Sequence, residues 1–445
     1  MVTIYAANWI LPAASPPMAD GAIAIEGFKI QSVGSRAALI QKYPSANLKT
    51  LENCAIIPGL VNAHSHLELT AMRGYLEKEE TDFLAWLRKL TLARLERMTP
   101  EDIHDSALWG ACEALRAGVT CVADASDVAI MSGRALKEVG LRGTVFQESF
   151  GPDPQLVSEN FEKLKTKIDE LRELESDLVR IGVSPHAPYT VCGDQLELIA
   201  NYAQSEGLPL MMHAAESAAE ESLIREGCGM FADNLARRNI EWSTPGTSVI
   251  QYLRARHVLE TQPLLAHCIR VDRNDVEILA ETETKIAHCP KSNAKLGHGR
   301  APLSAFLENG INVGLGSDSV ASNNTCDILE EARFAALLGR MDEPVRADQV
   351  FSAATMGGAR CLGLGGMIGQ LSEGAAADFT VLSLGGVHQL PIYDPTAAAI
   401  FSSSGRDVVM TVVAGKEVFK DGVISDVDEE RLRARVNEIR DKLKE

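Results

Sequence analysis

The chain has 445 residues, 46% of them hydrophobic and 23% charged, with a formal net charge of −18. That length suits one large domain with a smaller companion, and a surface this acidic repels phosphate backbones and anionic lipid, which argues against nucleic-acid and membrane partners. No run approaches the ~20 apolar residues of a membrane helix, residues 1–8 lack signal-peptide character, and nine cysteines without a C-x-x-C pair read as reduced thiols, so a soluble cytoplasmic protein is expected.

Residues 1–54 carry short β-like runs (Val2–Ala6, Ala22–Glu26, Ile30–Val33) between Gly-Pro-Asp turns. From about residue 55 to about 320 the texture changes. Eight apolar strand-like runs, at 56–62, 119–124, 142–148, 179–185, 208–213, 263–267, 284–288 and 311–318, alternate with helical patterns. The segment 101–117 is one of these, with Ala107, Leu108, Ala111 and Leu115 as its inward stripe; 158–176, 194–206 and 272–282 read the same way. Strands alternating with helices mean parallel β-α units, and eight of them predict an α/β fold of the closed (β/α)8 TIM-barrel type. Residues 369–422 return to β-like texture, with runs at 378–382 and 408–413, and 427–445 reads as a terminal helix. The expected division is a small β-sandwich domain from both chain ends (1–57 and 368–425), a barrel over 58–367 and a helix over 426–445.

The most informative segment is Pro58-Gly59-Leu60-Val61-Asn62-Ala63-His64-Ser65-His66. Side chains at i and i+2 of a strand share a face, so His64 and His66 project together from a strand end, as half of a metal site would. His-x-His alone is weak evidence. Here, however, most later strand-like runs also end in a histidine or carboxylate: Glu148, His186, His213 with Glu216 three residues on, His267, His288 and Asp318. Catalytic groups of a β/α barrel occupy those ends. His104, His257, His298 and His388 read as structural, and His288 reads either way.

The motifs PGLVNAHSHLELTAMRG (58–74), SPHAPYTV (184–191), HAAES (213–217), AHC (266–268), HCPKSNAKLGHG (288–299) and GLGSDSVASNN (314–324) occur in order. Together they resemble the amidohydrolase superfamily, in its aromatic-amine deaminase and chlorohydrolase branch, over nearly the whole chain. The resemblance implies that His64, His66, His213 and Asp318 bind one divalent metal, Zn2+ first with Fe2+ or Mn2+ compatible, and that Glu216 and His267 stand beside its water. Binuclear relatives carry a bridging lysine at the end of the fourth strand. No lysine lies between Val179 and Thr190, so a single metal is expected.

The catalytic set is then Glu216, His267 and Asp318, with His186, Trp86 and Glu148 as candidate substrate contacts. Trp86 reads equally well as helix packing with Phe83 and Leu87. The resemblance further implies hydrolytic deamination of an amino-substituted heterocycle, foremost a modified adenosine of the aminodeoxyfutalosine, S-adenosylhomocysteine or 5′-methylthioadenosine type. The alternatives are a triazine-type chlorohydrolase or aminohydrolase, a guanine- or cytosine-type deaminase and, remotely, a non-catalytic scaffold. A homodimer acting on a small molecule is expected. A metalloprotease is disfavoured, since no H-E-x-x-H occurs.

Overall fold

The computed structural model describes residues 1–341 and 344–444. Each of the eight runs contains a strand, and these strands form two parallel four-stranded sheets. One takes Leu60–Ser65, Val119–Ser126, Arg142–Ser149 and Val179–Pro185 in chain order; the other takes Met211–Ala214, Leu264–His267, Lys285–His288 and Val313–Leu315. Apart from Arg180 and Lys285, every residue of the eight is buried, as expected for parallel strands covered on both faces. Isolated parallel bridges join the two sheets at both edges, Val183 with Leu210 and Ser65 with Asp318. Val61, Cys121, Phe146, Met211, Leu264 and Ala287, contributed by six of the strands, share one buried apolar cluster.

The first run differs from its expected form. Residues 56–62 span two strands, because the chain leaves Asn47–Pro58 and enters Leu60–Ser65 at Gly59. His64 therefore lies within its strand, and His66 follows it as the cap of a short 3-10 helix, Leu67–Met72.

Asn47–Pro58 belongs to a separate eight-stranded sheet woven from both ends of the chain. The order runs from Val423–Ile424 through Lys416–Lys420, Val408–Val413, Phe379–Ser383, Asn47–Pro58, Thr3–Ile10 and Met18–Glu26 to Lys29–Ser35. Thr3–Ile10 pairs with Asn47–Pro58 in parallel, and every other neighbour is antiparallel. One face of this sheet buries Tyr5, Ile23, Ile25, Ile56, Phe379, Val381 and Met410 together.

A buried ion pair ties this sheet to the parallel strands. Arg142 Nε and Nη2 donate to Asp378 Oδ2 and Oδ1 at 2.7 and 3.2 Å. The helix Pro100–Arg116 starts from a capping box between Thr99 and Asp102. The same Asp102 carboxylate anchors the terminal helix Glu429–Lys444 through Arg435 and Lys442.

Candidate active site

His64, His66, His213 and Asp318 converge where the first, fifth and eighth parallel strands end. His66 Nδ1 lies 2.9 Å from the Ala125 carbonyl and His213 Nδ1 2.8 Å from that of His186. A carbonyl can only accept, so both rings carry their proton on Nδ1 and turn the Nε2 lone pair inward. The two Nε2 atoms face each other at 3.1 Å, and Asp318 Oδ1 lies 3.5 Å from His64 Nε2 and 3.6 Å from His66 Nε2. Donors bound at about 2.1 Å around a tetrahedral ion stand roughly 3.4 Å apart, so the spacing fits. Both ring nitrogens of His64 are buried, Nδ1 without a hydrogen-bond partner and Nε2 facing only Asp318. Facing lone pairs and an orphaned imidazole are costly unless a cation joins them, so the donor set fits a divalent metal.

Electrostatics keeps these groups in ligand form. Burial lowers His64 to about 4 and both His66 and His213 to about 3, leaving them neutral at pH 7. Burial alone would raise Asp318, but His64, His267 and His66 outweigh it and hold the carboxyl well below its usual range. Asp318 Oδ2 also accepts from Ser292 Oγ at 2.6 Å and Ser322 Oγ at 3.0 Å. Asp318 and His267 both adopt left-handed backbone, with φ of 55° and 73°. Residues with side chains seldom hold that region, and such strain gathers at functional sites.

Glu216 and His267 stand beside this cluster. His267 Nδ1 lies 2.8 Å from Asn293 Oδ1. An amide oxygen can only accept, which leaves His267 Nε2 as the inward atom, 3.7 Å from Glu216 Oε1. Tyr189 Oη donates to Glu216 Oε2 at 3.3 Å. One ring nitrogen each of His267, His64 and His213 lie within 4.8 Å of one another. A water and a flat ring carbon placed among these groups would have a base, an acid and a cation within reach.

The candidate substrate contacts separate. His186 lies at the site, its ring 4.6 Å from that of His213 and 4.7 Å from Phe150. Glu148 is also there, within 4.8 Å of His186 and His213, with Oε1 buried and unpartnered. Burial raises Glu148 well above its usual value despite the opposing charge of Arg94, 4.0 Å away. Trp86 is buried in an apolar cluster and stacks on Phe83 at 6.2 Å. Phe83 in turn meets His298 edge-on at 4.5 Å.

Three of the four histidines read as structural do face carboxylates away from the cluster: His104 with Glu138, His257 with Glu260 and His388 with Asp407. His298 departs from that reading. Its side chain is only 7% exposed, with Nε2 3.6 Å from Glu216 Oε1. Arg94 was also missed; it is buried and bonded to Glu68 at 2.9 Å, beside Glu148. Neither residue lies at a strand end: His298 sits in a loop and Arg94 in the last turn of the helix Phe83–Arg97. Only the HCPKSNAKLGHG motif pointed towards His298.

The amidohydrolase family model matches residues 55–418 of this chain. A 5-methylthioadenosine/S-adenosylhomocysteine deaminase of Nitratidesulfovibrio vulgaris (strain DSM 19637 / Miyazaki F) is 31% identical over 431 residues, covering 95% of this chain and 92% of that protein. Among solved structures, a zinc-bound adenosine deaminase from Xanthomonas campestris superposes with a TM-score of 0.87 at 26% identity, over 99% of this chain and 98% of its own. Atrazine chlorohydrolase from Arthrobacter aurescens TC1, complexed with zinc, gives a TM-score of 0.85 at 24% identity, over 98% of this chain and 100% of its own. The last likeness speaks for the fold alone.

Proposed function

This chain belongs to the amidohydrolase family, and from that premise we propose that it is a metal-dependent deaminase of 5′-substituted adenosines, releasing ammonia. The carrying observation is Glu216 beside a three-histidine, one-aspartate donor set, with His267 between them. The relative from Nitratidesulfovibrio supports the substrate class. The buried aromatic wall of Phe83, Tyr189 and Phe231 supports a flat ring as ligand.

In this reading His64, His66, His213 and Asp318 hold one divalent ion, with zinc favoured. Such an ion supplies a water acidified from a pKa of 15.7 to about 7. With the ion bound, Asp318 would accept a proton from the attacking water through Oδ1, which faces His64 and His66, while Ser292 and Ser322 hold Oδ2. His267, fixed by Asn293, orients the attack and stabilises charge at the tetrahedral carbon. Glu216 relays the two water protons in turn, the first, from Asp318, to the ring nitrogen and the second, from the tetrahedral hydroxyl, to the departing amine. Amide anion is a poor leaving group, so that delivery is what deamination demands of the residue. His186 and Glu148 contact the substrate.

The same proposal reads the two parallel sheets as halves of one closed (β/α)8 barrel, supported by the bridges at both sheet edges and by the Xanthomonas superposition. The division into 1–57 with 368–425, 58–367 and 426–445 goes with it. A homodimer and a cytoplasmic setting complete the reading; the free state of all nine cysteines suits the latter. The test is an ammonia-release screen of metal-analysed protein against 5′-methylthioadenosine, S-adenosylhomocysteine, aminodeoxyfutalosine, guanine, cytosine and atrazine. Ammonia from the adenosines supports the proposal. Chloride release from atrazine without ammonia from any adenosine would reverse it.

A further inference from the structure

The segment from His288 to Gly299 does more than close a loop. Ser292 Oγ bonds Asp318 Oδ2, Asn293 Oδ1 fixes His267 Nδ1, and His298 Nε2 faces Glu216 Oε1. One short stretch of chain therefore reaches all three members of the catalytic set, Asp318, His267 and Glu216. Its parts are tied together, since His298 N donates to the Asn293 carbonyl at 2.9 Å. Gly297 and Gly299 flank His298 with φ of 69° and 114°, values that favour glycine; the turn they make aims the imidazole inward.

We infer that His298 is a positioning residue for Glu216, gripping Oε1 from the side opposite Tyr189, which grips Oε2. This inference rests on the deaminase reading above and adds a residue to it. His298 Nε2 is buried and has no hydrogen-bond partner, a costly state unless a partner arrives. At 3.6 Å from Oε1 it stands just beyond hydrogen-bond range, and catalytic bonds of this kind tighten when substrate closes the site. The edge of Phe83 packs on the ring at 4.5 Å, so the imidazole has one apolar wall and one acidic neighbour. Burial lowers its basicity, so it meets Glu216 as a neutral N–H donor. Donors on both oxygens fix the carboxyl rotamer and stabilise the carboxylate left when Glu216 gives up its proton.

The experiment compares wild type, His298→Ala and His298→Gln in steady-state deamination of 5′-methylthioadenosine, with metal content measured on each. Misplacing a catalytic group by about 1 Å costs roughly 100-fold, so His298→Ala is expected to lose about that factor in kcat with KM and metal content held. His298→Gln, whose amide nitrogen occupies the Nε2 position, is expected to recover most of it. An alanine variant with normal kcat, or a loss confined to KM, would overturn the inference. If wild type deaminates no adenosine, the functional reading fails separately. A crystal structure of His298→Ala then decides the inference without turnover: a displaced Glu216 carboxylate upholds it and an unmoved one overturns it.

Discussion

His66 and His213, 147 residues apart in sequence, face each other through Nε2 atoms 3.1 Å apart, their rings within 5° of parallel. Each is locked in that pose by a carbonyl on its far side, from Ala125 and His186. Two lone pairs held together by the fold in this way are a standing demand for a cation.

Removing one of them should therefore empty the site. His213→Ala is expected to abolish both metal retention and activity while the protein stays folded, as read by elemental analysis and circular dichroism. A variant that kept one equivalent of metal would show that His213 is not a ligand.

Glu216 lies off that donor set, so its replacement should separate chemistry from metal binding. Glu216→Gln is expected to retain full metal and lose about 100- to 10,000-fold in kcat, the range of a general acid–base group. Near-normal turnover would refute the proton-shuttle assignment.

The pH dependence of metal affinity follows from the lowered imidazoles. Protons compete with metal for the same nitrogens, but only once pH nears the pKa of the metal-free site, about 4 for His64 and about 3 for His66 and His213. Ordinary histidines would begin to compete near 6.5. Chelator competition should therefore give an affinity nearly flat from pH 7 to 5 that falls below about pH 4. An onset of weakening near 6.5 would contradict the buried, neutral site.

The Arg142–Asp378 pair predicts a stability effect remote from catalysis. Its side chains are only 6% and 0% exposed, and removing one partner of a buried pair costs about 3–5 kcal/mol. Arg142→Ala should lower the urea midpoint accordingly. The double change Arg142→Met with Asp378→Leu should recover part of the loss, since it strands no charge. Equal stability of Arg142→Ala and wild type would mean the pair does not hold the sheets together.

What the sequence discloses depends on how local the signal is. The parallel strands announce themselves as apolar runs because both their faces are buried, and histidines or carboxylates stand at or just beyond their carboxyl ends, at His64, His213, His267 and Asp318. The break at Gly59 is not legible, because Ile56 and Ile57 in one sheet and Leu60 and Val61 in the other are equally apolar and equally buried. His298 is opaque for a different reason. Its place beside Glu216 is set by a loop and by contacts across about 80 residues of sequence, which no periodicity encodes. Trp86 shows the converse case: a large aromatic on a helix has two good uses, and the burial of its ring behind Phe83 follows only from packing.

The most direct measurement is an anomalous-scattering map from crystals of metal-analysed protein, collected at the absorption edge of the bound element. One peak is predicted, within about 2.0–2.2 Å of donor atoms of His64, His66, His213 and Asp318. A metal-containing protein whose peak falls anywhere else would contradict the account.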